Sequence, residues 1–524
     1  VPEDKPAALV SLSDRSGLEQ LGGTLQQSGF NIIATTGTAA ALRRHGIACS
    51  EVEDITAFPA ILDGRVKTLH PKIFGGLLGR PDNAAHAREL ATHGVPSIQV
   101  LAVTLYPFEA TVARPNVTAE EVTENIDIGG VALLRAGAKN YQHVSVLSQP
   151  NHYDEFADAV RSGGPDLAQR KRWAGDAMAL VARYDSAIAA YYSEGQANGR
   201  LANTLALNLP LASRLRYGEN PWEQGAFYQT RDPAKIPLQL SGKTLSYNNL
   251  LDVDSCLRLL AAIERPRGFP TTASPASTVC AAIVKHTVPC GFAAAPTAKA
   301  ALEAALGADP ISAFGGIVAI DAQLDEESAN LLKPRFLEVV AAPDFTPAAL
   351  AVLQTKKNLR VLKYDPALPG ALRSSLTLRS ALGGVLAEQP DPKAAPDEWT
   401  VMTEKQPSAQ QWRDLLFGFR AVRQVKSNAA VVVKAETTLG VCGGQTNRVA
   451  AVELACKRAG AAVAGAVLAT DGFFPFADGI EAAISAGIAA VVAPSGSIRD
   501  AEVIAAARRG GIVLVFASRR YFLH

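Results

Sequence analysis

Two basic side chains stand together at Lys285-His286, where the apolar run Thr278-Val-Cys-Ala-Ala-Ile-Val284 ends and a Pro289-Cys-Gly291 turn is expected. A short apolar run closed by Pro and Gly reads as a buried strand. Its last residues then face the carboxyl edge of a sheet, where open α/β folds place their ligands. A lone Lys beside a lone His is more often a salt bridge next to a satisfied ring. Here an ammonium and an imidazole titrating near ~6.5 suit proton transfer on a small anionic substrate. A second constellation lies in Gly64-Arg-Val-Lys-Thr-Leu-His-Pro71, which packs Arg65, Lys67, Thr68 and His70 between apolar runs. Asp127, before the pair Gly129-Gly130, can approach a ligand closely. With Lys67, Lys139 and Tyr106 it supplies ammonium donors, a base and a phenol for ring-forming proton transfers. A third, Thr35-Thr-Gly-Thr38, joins a strand to a helix and offers N–H groups and hydroxyls to a phosphate. Ser11, Ser13 and Arg15 end the first strand on the same edge.

These groups need a scaffold, and the first hundred residues alternate in a βα rhythm. Strands are expected at Ala7–Leu12, Asn31–Ala34 and Ile98–Leu105, helices at Gly17–Ser28 and Ala39–His45. Such alternation implies a parallel sheet flanked by helices. Thr118-Ala-Glu-Glu121 reads as a capping box, and Pro165–Tyr192 as a long helix. Periodicity is lost between Ser193 and Ser213, where a domain boundary is expected. Beyond it two passages share a plan. One holds a strand at Thr278–Val284, a helix at Thr297–Leu306 and a strand at Gly316–Ile320. The other holds a strand at Ala429–Val433, a turn around Gly443, a helix at Val449–Arg458 and a strand at Ala489–Ala493. A Pro-rich connector, Ala387 to Glu398, separates them, and a last strand is expected at Ile512–Phe516.

Length allows three or four domains, and 48% hydrophobic residues suffice for real cores. A formal net charge of +1 provides no field to draw nucleic acid or an acidic membrane. The six cysteines include no C-x-x-C pair, which excludes the commonest zinc spacings and a dense disulfide framework. The start, Val-Pro-Glu-Asp-Lys-Pro, lacks the order of a secretory signal, and no apolar run approaches the ~20 residues of a membrane span. A cytosolic enzyme is expected.

Taken in order, Gly64–Pro71, Leu105-Tyr-Pro-Phe108, Ile126-Asp-Ile-Gly-Gly130 and Ala138-Lys-Asn140 resemble the cyclohydrolase half of the bifunctional phosphoribosylaminoimidazolecarboxamide (AICAR) formyltransferase/IMP cyclohydrolase family. Arg216-Tyr-Gly-Glu-Asn-Pro221, Leu245-Ser-Tyr-Asn-Asn249, Lys285–Gly291 and Ser312-Ala-Phe-Gly-Gly316 continue the resemblance. So do Lys426-Ser-Asn428, Gly444-Gln-Thr-Asn-Arg448, Asp471-Gly-Phe-Phe-Pro-Phe476 and Pro494-Ser-Gly-Ser497, so that it covers nearly the whole chain. The resemblance implies an α/β protein. Residues 1–200 would be a methylglyoxal-synthase-like parallel-sheet domain. Residues 201–390 and 391–524 would be two cytidine-deaminase-like α/β subdomains without the deaminase zinc. It implies transfer of a formyl group from the co-substrate 10-formyltetrahydrofolate to AICAR, then cyclisation of the product (FAICAR) to IMP with loss of water. Lys285, His286 and Asn428 would carry the transfer, and Lys67, Tyr106, Asp127 and Lys139 the cyclisation. Substrates would be bound by Ser11, Ser13, Arg15, Thr35, Gly37, Thr38, Arg65, Thr68 and Asn140 in the first part. In the second they would be bound by Arg216, Tyr217, Gly315, Glu338, Arg448, Phe474, Asp478 and Arg520. It further implies a homodimer, no catalytic metal, and leaves a structural potassium open.

Some positions depart from the family's pattern. Thr36 stands where a Gly is usual, Arg15 for Lys, Thr104 for Asn, Trp222 for His, Val288 for Asn, and Cys442 for Gly. A Thr at a position needing φ > 0 would be costly. Two rival readings remain: a non-catalytic ligand-binding N-terminal module, and a zinc deaminase of nucleobases, suggested by fold analogy alone.

Overall fold

The βα rhythm of the first hundred residues closes into a five-stranded sheet in the computed structural model, which describes residues 5–194, 201, 203–229, 236–261, 278–389 and 397–524. The chain divides into two units, Val1–Leu209 and Pro210–His524. The expected boundary at residue 200, the first four residues and most of the connector Ala387–Glu398 lie outside the described residues.

In the first unit the strands are β1 (Ala7–Leu12), β2 (Asn31–Ala34), β3 (Ser50–Glu51), β4 (Ile98–Thr104) and β5 (Ser145–Leu147), in the order β3-β2-β1-β4-β5. Every pairing is parallel. β1 is almost wholly buried on both faces, as a central strand sandwiched between helices must be. The order reverses between β1 and β4, and that switch point opens a crevice beyond the carboxyl ends of the strands. Loops after β1, β2 and β4 deliver Ser13 and Arg15, Thr35, and Tyr106 to this crevice. One face packs Trp173, Tyr153 and Phe156, all under 2% exposed, each contributing about 1.5–3 kcal/mol of burial. The helix expected from Ala39 begins earlier and spans Thr36–Arg44. Thr36 therefore has an ordinary helical φ and is absent from the left-handed residues, so the cost anticipated for it does not arise.

The second unit carries two short ribbons, β6 (Leu211–Arg214) with β7 (Ala226–Tyr228) and β14 (Thr377–Ala381) with β15 (Gly384–Glu388). Its body is one twelve-stranded mixed sheet. The strands are β8 (Leu238–Ser241), β9 (Val279–Lys285), β10 (Val288–Ala295), β11 (Ile317–Ile320), β12 (Val339–Ala342) and β13 (Arg360–Lys363). They continue as β16 (Trp399–Val401), β17 (Ala430–Lys434), β18 (Thr437–Cys442), β19 (Val467–Thr470), β20 (Ala490–Pro494) and β21 (Val513–Ala517). Their order, β16-β21-β20-β19-β17-β18-β10-β9-β11-β12-β13-β8, is a palindrome once β8–β13 are matched to β16, β17, β18, β19, β20 and β21. The unit is thus an internal duplication meeting itself at β10 and β18, which run antiparallel.

The match extends to side chains. Helices Tyr247–Leu260 and Ala409–Val422 each open with a capping box, Ser246/Asn249 and Ser408/Gln411. Each then carries a buried aspartate, Asp252 or Asp414. Gly291 and Gly440 lie against helices so closely that a Cβ would stand 1.9 and 2.1 Å from the Ala305 and Ala455 carbonyl oxygens. No other residue fits there. The seam itself is held by the hydroxyl of buried Thr438, which accepts from the Phe292 N–H at 2.9 Å and lies 3.3 Å from its carbonyl. Phe292 also stacks on Phe417 with ring centres 4.4 Å apart.

One expectation is corrected. Pro289-Cys-Gly291 is not a turn but the start of β10, with a register shift between Pro289 and Gly291; a proline is admitted at such a bulge. No helix among the described residues is long and apolar enough to cross a membrane.

Candidate active sites

In the first unit the residues expected to cradle a phosphate come together. Thr38 Oγ accepts from the Leu12 N–H at 3.0 Å and stands 3.3 Å from Thr35 Oγ, which in turn reaches Ser11 Oγ at 3.4 Å. Thr35 precedes the helix without a side-chain cap, so the first amides lack a side-chain acceptor. The Arg15 guanidinium passes over Gly37, where a Cβ would be 3.0 Å from it. Thr104 is a tie between strand ends: its hydroxyl accepts from the Asp14 N–H at 2.9 Å and donates to the Asp14 carbonyl at 3.1 Å.

Beside it lies a second group. Lys67 follows a turn closed by the bridge Ile61↔Val66, and its Nζ is 3.4 Å from the Tyr106 hydroxyl. Asp127 accepts from the Gly130 N–H at 2.6 Å, and Gly130 has no room for a Cβ, which would be 2.5 Å from the carboxylate. Burial pushes the Asp127 carboxyl above its ordinary value, against the lowering by backbone N–H groups of Gly130 and Tyr106 and by the Lys67 charge. The Asp127 N–H donates to Tyr184 Oη at 2.8 Å, which fixes the loop. Thr68 is buried next to Gly129, and exposed Arg65 is paired with Glu124. Lys67, Tyr106 and Asp127 are thus brought together. Lys139 is not: it ends the eleven-residue helix Gly129–Lys139, about 16 Å long, whose other end follows Asp127. Asn140 is 8% exposed and donates its amide to the Leu77 and Gly79 carbonyls at 2.8 and 2.9 Å. Its side-chain NH2 ties a loop down.

In the second unit Lys285 and His286 sit at the end of β9, on a two-residue hairpin turn into β10. His286 and Thr287 are both left-handed, with φ of 55° and 60°. Asp252 accepts from both of their N–H groups, at 3.1 and 2.6 Å. The Lys285 Nζ donates to the Phe314 carbonyl at 2.8 Å, and the exposed rings of Phe314 and Phe336 lie 4.9 Å apart beside it. Gly315 is left-handed at φ 75° and donates to the Phe336 carbonyl at 2.8 Å. Glu338 carries an ion pair with buried Arg360.

Asn428 lies two residues before β17, and β17 runs opposite to β9 across β10 and β18. The start of one strand and the end of the other therefore share an edge. Lys285 pairs with Val288 on one side of the β10–β18 seam and Ala430 with Cys442 on the other. Around Asn428, its N–H and side-chain amide donate to the Gln445 carbonyl at 3.1 and 2.9 Å. Arg448 is 4% exposed, bonded to the Ala429 carbonyl at 2.8 Å and ion-paired with Asp471, which is itself wholly buried. Arg448, expected to bind substrate, locks the motif, and its Nε is the atom left without a partner. Exposed Arg520 lies over Phe522, 4.7 Å from the ring centre, where the C-terminal segment crosses Gly472. Asp478 is exposed and opens a short helix. Phe474, expected to touch substrate, is 1% exposed and belongs to the core around Ile480. Arg216 and Tyr217, with the guanidinium 5.4 Å from the ring centre, adjoin the start of the helix bearing Asp252, where Asn248 donates to the Glu219 carbonyl at 3.2 Å.

Among the described residues no three His, Cys, Asp or Glu side chains cluster as metal ligands. The family model for the AICARFT/IMPCHase bienzyme matches residues 137–458, and that for the MGS-like domain matches residues 17–132. Over 99% of this chain and 99% of its own length, the bifunctional purine biosynthesis protein PurH of Rippkaea orientalis is 44% identical.

The chain belongs to the AICARFT/IMPCHase bienzyme family.

The proteins of the same name from Desulfitobacterium hafniense and Chloroflexus aurantiacus are 43% and 46% identical, again over 99% of this chain and 99% and 98% of theirs. For a bienzyme the two unlike constellations, one in each unit, are what the chemistry requires. Sequence reasoning missed Asp252. Its signal was present as an acid on the apolar face of the helix that also buries Val253, Cys256 and Leu257.

Proposed function

We propose that the two units divide the work of an AICAR formyltransferase and IMP cyclohydrolase of purine biosynthesis, the second forming FAICAR and the first closing it to IMP. The aminoimidazole amine, weakened by conjugation to the carboxamide, attacks the formyl carbon of 10-formyltetrahydrofolate. His286 takes the proton that the amine loses. Lys285, with one N–H spent on the Phe314 carbonyl, directs its remaining donors at the oxyanion and then at the departing folate nitrogen. Asn428 aligns the formyl group from the same edge. Arg216, Tyr217 and Arg520 hold the ribotide, with the Nε of Arg448 as a further donor. The reading is carried by one observation: the Lys-His pair that closes β9 and Asn428, just before β17, are far apart in the chain yet lie at the same end of the sheet.

In the first unit the cradle from Ser11 to Thr38 takes the phosphate. Asp127, its carboxyl raised by burial, collects the proton as the carboxamide nitrogen closes on the formyl carbon. Lys67 and Tyr106 stabilise the oxygen that leaves as water. Lys139 serves the site of a second copy in the homodimer, and exposed Ile311, Phe314 and Phe336 are the apolar face that copy covers. Assays of both reactions decide. Lys285→Ala and His286→Ala are expected to abolish formyl transfer and spare cyclisation, and Lys67→Ala to do the reverse. Equal losses of both reactions from each change would refute the division.

A further inference from the structure

The hairpin turn that presents His286 has a twin. Lys434, Ala435 and Glu436 close β17 onto β18 as Lys285, His286 and Thr287 close β9 onto β10. Ala435 and Glu436 are left-handed as well, at φ 51° and 52°. Asp414 accepts from their N–H groups at 3.1 and 2.7 Å, as Asp252 does at the first turn. Even the lysines match: Lys434 Nζ donates to the Ala464 carbonyl at 2.9 Å, as Lys285 does to that of Phe314 at 2.8 Å.

Two consecutive left-handed residues favour Asn and Gly, and a β-branched residue such as Thr287 is disfavoured there. The turn is imposed by the aspartate, whose two oxygens satisfy two adjacent N–H groups. Because one of those groups belongs to His286 itself, the carboxylate fixes the backbone from which the imidazole projects. The Lys285–Phe314 bond fixes the other half of the pair. The duplicated scaffold is the same in both halves, but only one half bears an imidazole.

We propose that Asp252 is a positioning residue for formyl transfer, holding His286 through its backbone, while Asp414 performs the same structural task with no catalytic consequence. This rests on the reading of Lys285-His286 as the transfer pair. Asp414 is thereby an internal control that separates positioning from folding. Asparagine keeps one acceptor but turns an amide donor towards the second N–H, so it frees one arm of the turn in either half.

The test compares Asp252→Asn with Asp414→Asn in the full chain, measuring thermal midpoints, cyclisation, and kcat and KM for formyl transfer. Similar falls in midpoint and unchanged cyclisation are expected for both. Only Asp252→Asn should lose formyl-transfer kcat, by about 10²-fold, the size of effect that a ~1 Å misplacement produces, with KM for the ribotide within about threefold. Equal kcat losses in the two variants, or no loss in Asp252→Asn, overturn the proposal. If either Asn variant is not recovered folded, Asp252→Glu and Asp414→Glu, which keep the charge and lengthen the arm by one methylene, are judged by the same criterion. His286→Ala run alongside distinguishes the two failures. Activity surviving that change removes the transfer pair itself, whereas its loss together with an innocuous Asp252→Asn removes only the positioning role.

Discussion

The two edges of the palindromic sheet began from one plan and differ in what they carry. One edge presents His286 at the tip of a turn and Asn428 just before β17. Asp321 and Asp471 accept from the Cys280 and Ala429 N–H groups at 2.7 and 2.9 Å, which aligns Asn428 with Val279. The opposite edge therefore has Ala435 where the first has the imidazole, and Val279 where the first has the amide. It retains Lys434, the aspartate and the hairpin. A scaffold that can aim a side chain is thus distinct from the side chain aimed, and a lysine with the right geometry is not by itself a site.

The comparison is most severely tested by making the working edge resemble the blank one. His286→Ala should lower formyl-transfer kcat by about 10²–10⁴-fold; a loss under tenfold would mean that the imidazole moves no proton. Asn428→Val, which installs the residue found at the matching position, should cost about 10²–10³-fold in the same assay, and a change confined to KM would make Asn428 a binding group only. Thr438→Val addresses the join between the halves. It strands the buried Phe292 N–H and should lower unfolding stability by about 1–3 kcal/mol in urea titrations, with unchanged stability showing that the ladder holds without it. Ala435→His adds an imidazole to the blank edge at an exposed left-handed position that His tolerates. Stability should change by under about 0.5 kcal/mol and formyl transfer not at all, and a gain in rate would show that the blank edge still binds substrate. The smallest effect is in pH. Burial raises the carboxyls of both Asp252 and Asp414 above the ordinary 3.8. Their native forms then hold protons more tightly than the unfolded chain, so this contribution to stability is complete below 3.8 and lost as pH rises through the raised values. The penalty of each Asn variant should accordingly shrink as pH rises from below 3.8 through the raised values, and an opposite slope in either half would separate the twins.

How much of this the sequence discloses depends on the element. β1 and β2 have the bounds that their apolar runs suggest, because a buried parallel strand has no other way to be written. The Lys67, Tyr106 and Asp127 group is legible from residue types, since the turns that deliver those side chains are marked by Gly64 and Gly129-Gly130. β10 and β18 are not. Pro289 and Gly291 imitate a turn although one sits at a bulge and the other under a helix, and Gly440 interrupts β18 for the same steric reason. The turns themselves, His286-Thr287 and Ala435-Glu436, lack the Asn-Gly pattern that announces a hairpin, because the buried carboxylates enforce what the local residues do not favour. Lys139 and Asn140 are hard to place for a different reason. They follow a plausible base only after an eleven-residue helix, which carries Lys139 away from Asp127, and packing engages the Asn140 amide.

The seam between β10 and β18 has a mechanical consequence. Backbone pairing across it is recorded at the single position Ala293↔Thr437, with the Ala294 N–H reaching the Glu436 carbonyl at 3.0 Å beside it and Thr438 supplying the rest, whereas the neighbouring hairpins are zipped along most of their length. Within the sheet, a load applied between the halves is borne by few, closely spaced links, with Arg420, which donates to the Leu259 carbonyl at 2.9 Å, and the Phe292–Phe417 stack tying the halves from the helix side. The sheet would tear there before any hairpin unzipped, leaving the imidazole and the amide that must cooperate on different fragments.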